Sequence, residues 1–303
     1  VAARRLAVFI ALFVTFLWST SWVLIKVGLA DIPALTFAGL RYGLAFACMW
    51  PLVVLNPARR AALRQLSPER AAELAGLGLL FIAVTQGAQF VSLNYLPAAT
   101  LTLMLNFTAV IVALLGIVVL AEQPSRRQWL GIGLYLLGAL LYFYPPDFSS
   151  DQVMGFLAAG ICVGANALSS ILGRRVNRRA MSDPFTVTLV SLGVGGLALL
   201  IAGLAAEGGI PVLTPVNWLI ITWLAVVNTA LAFTLWNVSL RTLSATESSV
   251  INNTMMIQIA ILAWVFLGEA LGGLALAGMG LAAAGIALVQ IRGRARAHCA
   301  GKA

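Results

Sequence analysis

Apolar residues come in ten long runs, near 6–29, 33–55, 72–94, 98–120, 127–144, 153–173, 184–206, 216–240, 246–266 and 270–291. A helix rising 1.5 Å per residue needs about 20 residues to cross a hydrocarbon core ~30 Å thick, and these runs are of that length. The alternation of a barrel strand is missing. The pattern therefore predicts an all-α membrane protein with ten transmembrane helices joined by loops too short to hold an extramembrane domain. The first run follows Arg4 and Arg5 but has no small-residue cleavage site, so it reads as a span and not as a leader.

Part of this pattern is written twice. VSLNYLPA, starting at Val91, returns 147 positions later as VSLRTLSA, starting at Val238. Glu122 returns as Glu269, and Gly131, Gly133, Leu134 and Gly138 return as Gly278, Gly280, Leu281 and Gly285. Five runs separate each point from its copy, and an odd number of crossings turns the second copy upside down. The expected domains are thus a five-helix repeat over 1–147, an inverted five-helix repeat over 148–292, and a tail over 293–303. Inverted repeats of this kind build two gates around one central site.

The chain is 61% hydrophobic and 10% charged, too apolar for a soluble domain. Its net charge of +9 would suggest nucleic acid in a soluble protein, but the positions of the charges exclude that partner. Arg4, Arg5, Arg59, Arg60, Arg64, Arg70, Arg126, Arg127, Arg174, Arg175, Arg178, Arg179, Arg241, Arg292, Arg294 and Arg296 all fall on one side of an alternating chain. The opposite loops carry Asp31, Asp147, Asp151, Glu207 and Glu269. That asymmetry puts both termini in the cytoplasm of a multi-pass inner-membrane protein. Cys48, Cys162 and Cys299 show neither a disulfide framework nor metal spacing, and no cofactor is implied.

The stretch LWSTSWVLIKVGLADIPALTFAGLRYGLAF, from Leu17 to Phe46, resembles the opening of the drug/metabolite transporter superfamily in its ten-helix EamA branch, at Trp18, Ser19, Lys26, Pro33 and Arg41. The segments ending at Glu122 and Glu269 resemble the ends of that family's fourth and ninth helices. Members usually carry a proline thirteen residues before each glutamate; here Ala109 and Met256 stand there, so these helices are expected to run without a proline kink. The richness in Trp and Phe, with no acidic residue at mid-membrane, looks most like the bacterial aromatic amino acid exporters. The resemblance implies export of a small molecule. The glycines of the fifth and tenth runs let helix backbones approach closely, so the fifth helix is expected to lie against a neighbour in its own bundle or against a second protomer, and the protein to be a monomer or weak homodimer.

Thr15, Trp18, Ser19, Trp22 and Lys26 share one face of the first helix, and a lipid-facing surface would not carry hydroxyls so densely. The stripe points inward, at packed neighbours or at a cavity. Trp50, Trp129, Trp218 and Trp264 belong to the interfacial belts, whereas Trp18 sits at mid-span. Thr85 and Gln89 in the third span, and Phe233, Trp236 and Asn237 in the eighth, are candidate lining residues; Gln89 and Trp236 are repeat mates. Asn106 and Asn253 are mates at mid-depth, either hydrogen-bonded between helices or facing substrate, because an amide without a partner there costs several kcal/mol. Met256 is counted with them, and Asn166, the mate of Ser19, completes the ring. Lys26 and Arg41 are gate or anion-anchor candidates; otherwise Lys26 snorkels to the outer surface and Arg41 binds backbone carbonyls at a helix end.

A carrier working by alternating access fits these features. An intramembrane enzyme would need a nucleophile with its base, paired aspartates or a metal site, yet the single histidine is His298 in the tail. A channel would show a charged ring or a carbonyl filter. The central thirds of the helices hold no Asp, Glu or His, which favours facilitated transport or exchange over proton coupling.

Overall fold

The computed structural model describes residues 2–120, 125–144, 149–178, 184–240, 242–243 and 245–290. Among them every regular element is helical. In order they are α1 (Ala2–Gly28), α2 (Ala34–Val54), the short α3 (Pro57–Arg64), α4 (Pro68–Tyr95), α5 (Ala98–Leu120), α6 (Arg126–Tyr142), α7 (Ser150–Arg178), α8 (Pro184–Ala206), α9 (Pro215–Ala225, continued by Val226–Leu231 and Ala232–Leu240), α10 (Ala245–Leu267) and α11 (Gly273–Gln290). Six of them, α1, α2, α4, α7, α8 and α9, contain stretches long and apolar enough to cross a membrane, and α5, α10 and α11 contain shorter apolar stretches. The helix starts follow local chemistry: Ser67 and Thr214 accept the N–H three residues on, ahead of Pro68 and Pro215, and Ser125 forms a capping box with Gln128.

Two helices depart from α geometry at places that neither composition nor spacing marks. In α4 the segment Leu79–Gln86, and in α9 the segment Val226–Leu231, are π-helical. Their first residues are 147 positions apart, the spacing of the sequence repeat. A π-turn hydrogen-bonds five residues back, and a threonine hydroxyl reinforces that reach in both: Thr85 donates to the Leu80 carbonyl at 2.9 Å and Thr229 to the Leu224 carbonyl at 2.8 Å. Helices α5 and α10 are unbroken α-helix throughout.

Glycine sets how the bundle closes. A Cβ on Gly138 would lie 2.5 Å from backbone atoms of Gly278 and Ala282, and one on Gly285 would lie 2.5 and 2.6 Å from backbone atoms of Tyr135 and Gly131. The helices α6 and α11 therefore touch backbone to backbone, antiparallel, and each contact recurs with the repeat mates exchanged. Gly131 meets Val289 as Gly278 meets Tyr142. In the same antiparallel sense α2 packs on α8, where Gly196 meets Tyr42 and Gly43 and Gly203 meets Leu35 and Thr36. Gly133 and Gly280, mates of one another, face open space instead.

Trp50, Trp129, Trp218 and Trp264 are all exposed on the outer surface near helix ends, two at each end of the bundle. Replacing Gly138 with alanine should cost about 1–3 kcal/mol, the usual range for overpacking, because backbone and not a movable side chain blocks the new methyl. Gly133→Ala should leave stability within about 1 kcal/mol of the parent, since the methyl meets nothing and alanine favours the helix. Thermal unfolding of the two variants in detergent, run side by side, reads the difference.

Candidate functional site

The π-turn of α9 holds two neighbouring polar side chains that point to different helices. Asn228, fully buried, donates through Nδ2 to the Leu17 carbonyl of α1 and to Thr20 Oγ1 at 3.2 Å. Thr229, also fully buried, accepts Arg41 Nε–H from α2 at 3.1 Å while its own hydroxyl proton goes to Leu224. One turn of α9 is thereby tied to both α1 and α2. Just beyond it Phe233 and Trp236 pack on Trp18, with ring centroids 5.3 and 5.2 Å apart. Of the four aromatics expected to line a cavity, Trp18, Phe233 and Trp236 meet between α1 and α9, each half-buried, and Trp22 does not join them. The side chain of Asn237 lies outside the described residues.

The remaining candidates divide. Ser19 donates to the Thr15 carbonyl at 2.8 Å and to Gln258 Oε1 of α10 at 3.0 Å; Gln258 in turn donates to Thr15 and Thr254 hydroxyls. Asn106 donates to the Thr102 carbonyl at 2.9 Å and to Met256 Sδ at 3.3 Å, so these two candidates touch across α5 and α10. Asn166 joins α7 to α5 through Thr108 Oγ1 at 3.3 Å. Asn253 is half-buried on α10, one turn before Met256. Trp22 stands apart from the other aromatics, in the apolar core with Ile25 and Phe37. Thr85 is spent inside its π-turn, where Cys162 Sγ also reaches its carbonyl at 3.1 Å. Gln89 is buried on α4 beside Phe90. Four polar residues that the sequence reading passed over, Asn228, Thr229, Gln258 and Thr108, hold these elements together; each is a polar residue within an apolar run, which is the signal that could have found them.

Arg41 and Lys26 behave differently. Lys26 Nζ donates to the Leu93 and Leu96 carbonyls at 2.5 and 2.8 Å, satisfying the end of α4. Arg41 is 4% exposed and, among the described residues, is in no ion pair, whereas Arg70 has Glu73 at 2.8 Å. Its guanidinium carbon lies 5.1 Å from the Tyr42 ring centroid and 6.0 Å from that of Phe90. Tyr42 is itself fixed by donating to Gln86 Oε1 at 2.8 Å. A desolvated cation–π contact is worth about 2 kcal/mol and a neutral hydrogen bond about 1 kcal/mol. Removing an ion from water costs several kcal/mol, so these contacts offset the burial of the charge only in part.

A model of the EamA-like transporter family matches this chain twice, over residues 5–144 and 153–291. The chain belongs to the EamA-like transporter family. It is 28% identical over 240 residues, 75% of this chain and 76% of the other, to a protein named "Probable amino-acid metabolite efflux pump" of Salmonella typhimurium. The protein of that name in Escherichia coli is 29% identical over 184 residues, 60% of this chain and 57% of its own length. An uncharacterized transporter of Bacillus subtilis, YyaM, is 22% identical over 236 residues, 74% of this chain and 75% of that protein. One solved crystal structure superimposes with a TM-score of 0.64 over 93% of this chain and 96% of that one, at 17% identity, which shows a shared fold. The chain is a multi-pass membrane transporter of small metabolites, not an enzyme.

In this EamA-like transporter the acidic end of the bundle is held by glutamates acting at a distance. Helix α2 begins after Pro33, with no side-chain cap of its own. Glu207, just past α8, supplies one by accepting Leu35 N–H at 2.9 Å and Thr36 N–H at 2.8 Å. Helix α5 begins after Pro97, and Glu269 accepts the N–H groups of Ala98 and Ala99 at 2.9 and 3.4 Å. Gly268, at φ 67°, makes the turn that brings Glu269 there, a conformation that a side chain would strain. Glu122, the repeat mate of Glu269, lies outside the described residues.

Asn228→Leu removes the ties to Leu17 and Thr20 while keeping similar bulk. It should lower stability by about 0.6–1.7 kcal/mol, the range for hydrogen bonds between transmembrane helices. Thermal unfolding in detergent checks the value, with Val226→Leu, at an exposed position of the same turn, as the control that should not move.

Proposed function

We propose that this transporter exports amino acids with aromatic or large apolar side chains, by alternating access through a cavity between two inverted five-helix halves. The observation that carries the substrate class is Trp18 packed on both Phe233 and Trp236. Tryptophan in a bilayer usually sits at the interface, where its N–H meets water. Trp18 lies instead at mid-span, half-buried, and its two partners stand on the helix whose π-turn also holds Arg41. An aromatic wall with polar groups one turn away suits a ligand with one apolar and one charged end. The names of the Escherichia coli and Salmonella relatives agree with an amino-acid-like cargo.

The inverted ten-helix arrangement is supported by three independent features. These are the sequence repeat at a spacing of 147, the two π-turns whose starts obey the same spacing, and the antiparallel glycine seam of α6 and α11 in which mates exchange roles. An axis that swaps such a pair lies in the membrane plane and turns one half over. The described basic residues Arg4, Arg5, Arg59, Arg60, Arg64, Arg70, Arg126 and Arg127 sit at the end opposite Glu207 and Glu269, so that end is cytoplasmic in a bacterial inner membrane.

Reconstituted into liposomes, the protein should exchange labelled phenylalanine or tryptophan, and each should compete with the other. Trp18→Ala should weaken half-saturation by up to about tenfold, since a ring contact between Trp18 and an aromatic substrate is worth about 0.5–1.5 kcal/mol. Collapsing the proton gradient should leave the flux unchanged. Competition by organic phosphates or nucleotide sugars but not by amino acids would replace the amino-acid reading with transport of those metabolites.

A further inference from the structure

Arg41 holds its place through one edge of its guanidinium and offers the other. Nε–H is taken by Thr229, and the guanidinium carbon lies within about 6 Å of the Tyr42 and Phe90 ring centroids. Among the described residues, the sealed side-chain atoms without a hydrogen-bond partner are Thr36 Oγ1, Asn217 Nδ2 and Asn228 Oδ1. The two terminal nitrogens of Arg41 are not among them and make no hydrogen bond to described residues, so they open on space that a water-sized group can enter. A guanidinium edge with two parallel N–H donors fits a planar anion bidentately.

The surroundings select which anion. Among the described residues, Lys26 is committed to the Leu93 and Leu96 carbonyls and Arg70 is paired with Glu73, so Arg41 presents a single positive charge. One charge balances a carboxylate; a phosphomonoester carries nearly two at neutral pH. Phe233, packed on Trp18, follows Thr229 by four residues of α9, about 6 Å along the axis at 1.5 Å per residue. That is the scale that separates the carboxylate from the side chain of an α-amino acid.

We propose that Arg41 is the carboxylate anchor of the transport site, so that transported metabolites must carry a carboxylate and amines without one are refused. This rests on the reading of the chain as a carrier of amphipathic metabolites. It assigns the selectivity to one side chain and to the charge of the cargo, separately from the aromatic wall.

The test is a ligand-induced thermal-stabilisation panel on the detergent-solubilised full chain, using matched sets on aromatic and aliphatic skeletons. Phenylalanine, 3-phenylpropionate, phenylalaninamide, phenethylamine and phenyl phosphate form one set; leucine, isocaproate, leucinamide and isoamylamine form the other. Compounds with a carboxylate should stabilise the protein at least tenfold more tightly than their amide or amine partners. Arg41→Gln should abolish that preference and Arg41→Lys should keep part of it. Thr229→Val, which leaves the charge and frees Nε, should weaken carboxylates without admitting amines. Stabilisation by phenethylamine equal to that by 3-phenylpropionate would overturn the anchor while leaving a transporter of aromatic compounds. Carboxylate selectivity with no preference for rings would keep the anchor and narrow the cargo to amino acids with any large apolar side chain. A parent protein that no carboxylate stabilises, or an Arg41→Gln variant with unchanged preference, would overturn the anchor outright.

Discussion

A polar group inside a bilayer has no water to turn to, so every backbone end, amide and charge must find its partner on another helix. That constraint explains which helices of this protein touch and where. Proline-led α2 and α5 lack caps of their own and take carboxylates from Glu207 and Glu269. The end of α4 takes Lys26. The π-turn of α9 turns Asn228 towards α1 and Thr229 towards α2. Glycine does the complementary work: where α6 meets α11 there is no side chain to satisfy, and the helices approach until their backbones touch.

These two kinds of contact divide the bundle by stiffness. The glycine seam of α6 and α11 and the antiparallel pair α2 and α8 are close and leave little room to slide. Helix α1 is held to α10 through Ser19 and Gln258 and to α9 through Asn228, contacts of one or two hydrogen bonds each. A hydrogen bond between membrane helices averages about 0.6 kcal/mol, close to thermal energy, so such ties can exchange while the glycine pairs persist. The two π-turns lie on the helices α4 and α9, at matching places in the repeat, where a wider turn can tighten or pass along the helix without losing its hydrogen bonds.

The long apolar helices, the sequence repeat and the exposed tryptophans were legible in the sequence, because each is a matter of local hydropathy or spacing; which helix the repeat glycines meet, and the short α3, were not. Trp18, Phe233 and Trp236 were each legible as lining candidates, and the contact among them came only with the structure. What sequence reasoning did not reach were partners set by tertiary geometry. Gln258 has no periodic signature that points to Ser19, and nothing near Glu207 in the chain announces the start of α2. The π-turns left no mark in composition. Trp22 shares a helical face with Trp18 but sits in the core, since a face three turns long can meet a neighbour's core at one level and its polar groups at another.

The direct test of two inverted halves rocking against each other is a pair of distances measured by electron paramagnetic resonance on the reconstituted protein. One pair of spin labels replaces Asp31 and Ala270 at the acidic end, and the other replaces Arg126 and Thr242 at the basic end, each pair spanning the two halves and all at exposed positions. If the halves alternate, saturating substrate lengthens one distance as it shortens the other. Two distances that change in the same direction, or that both stay fixed, would contradict it.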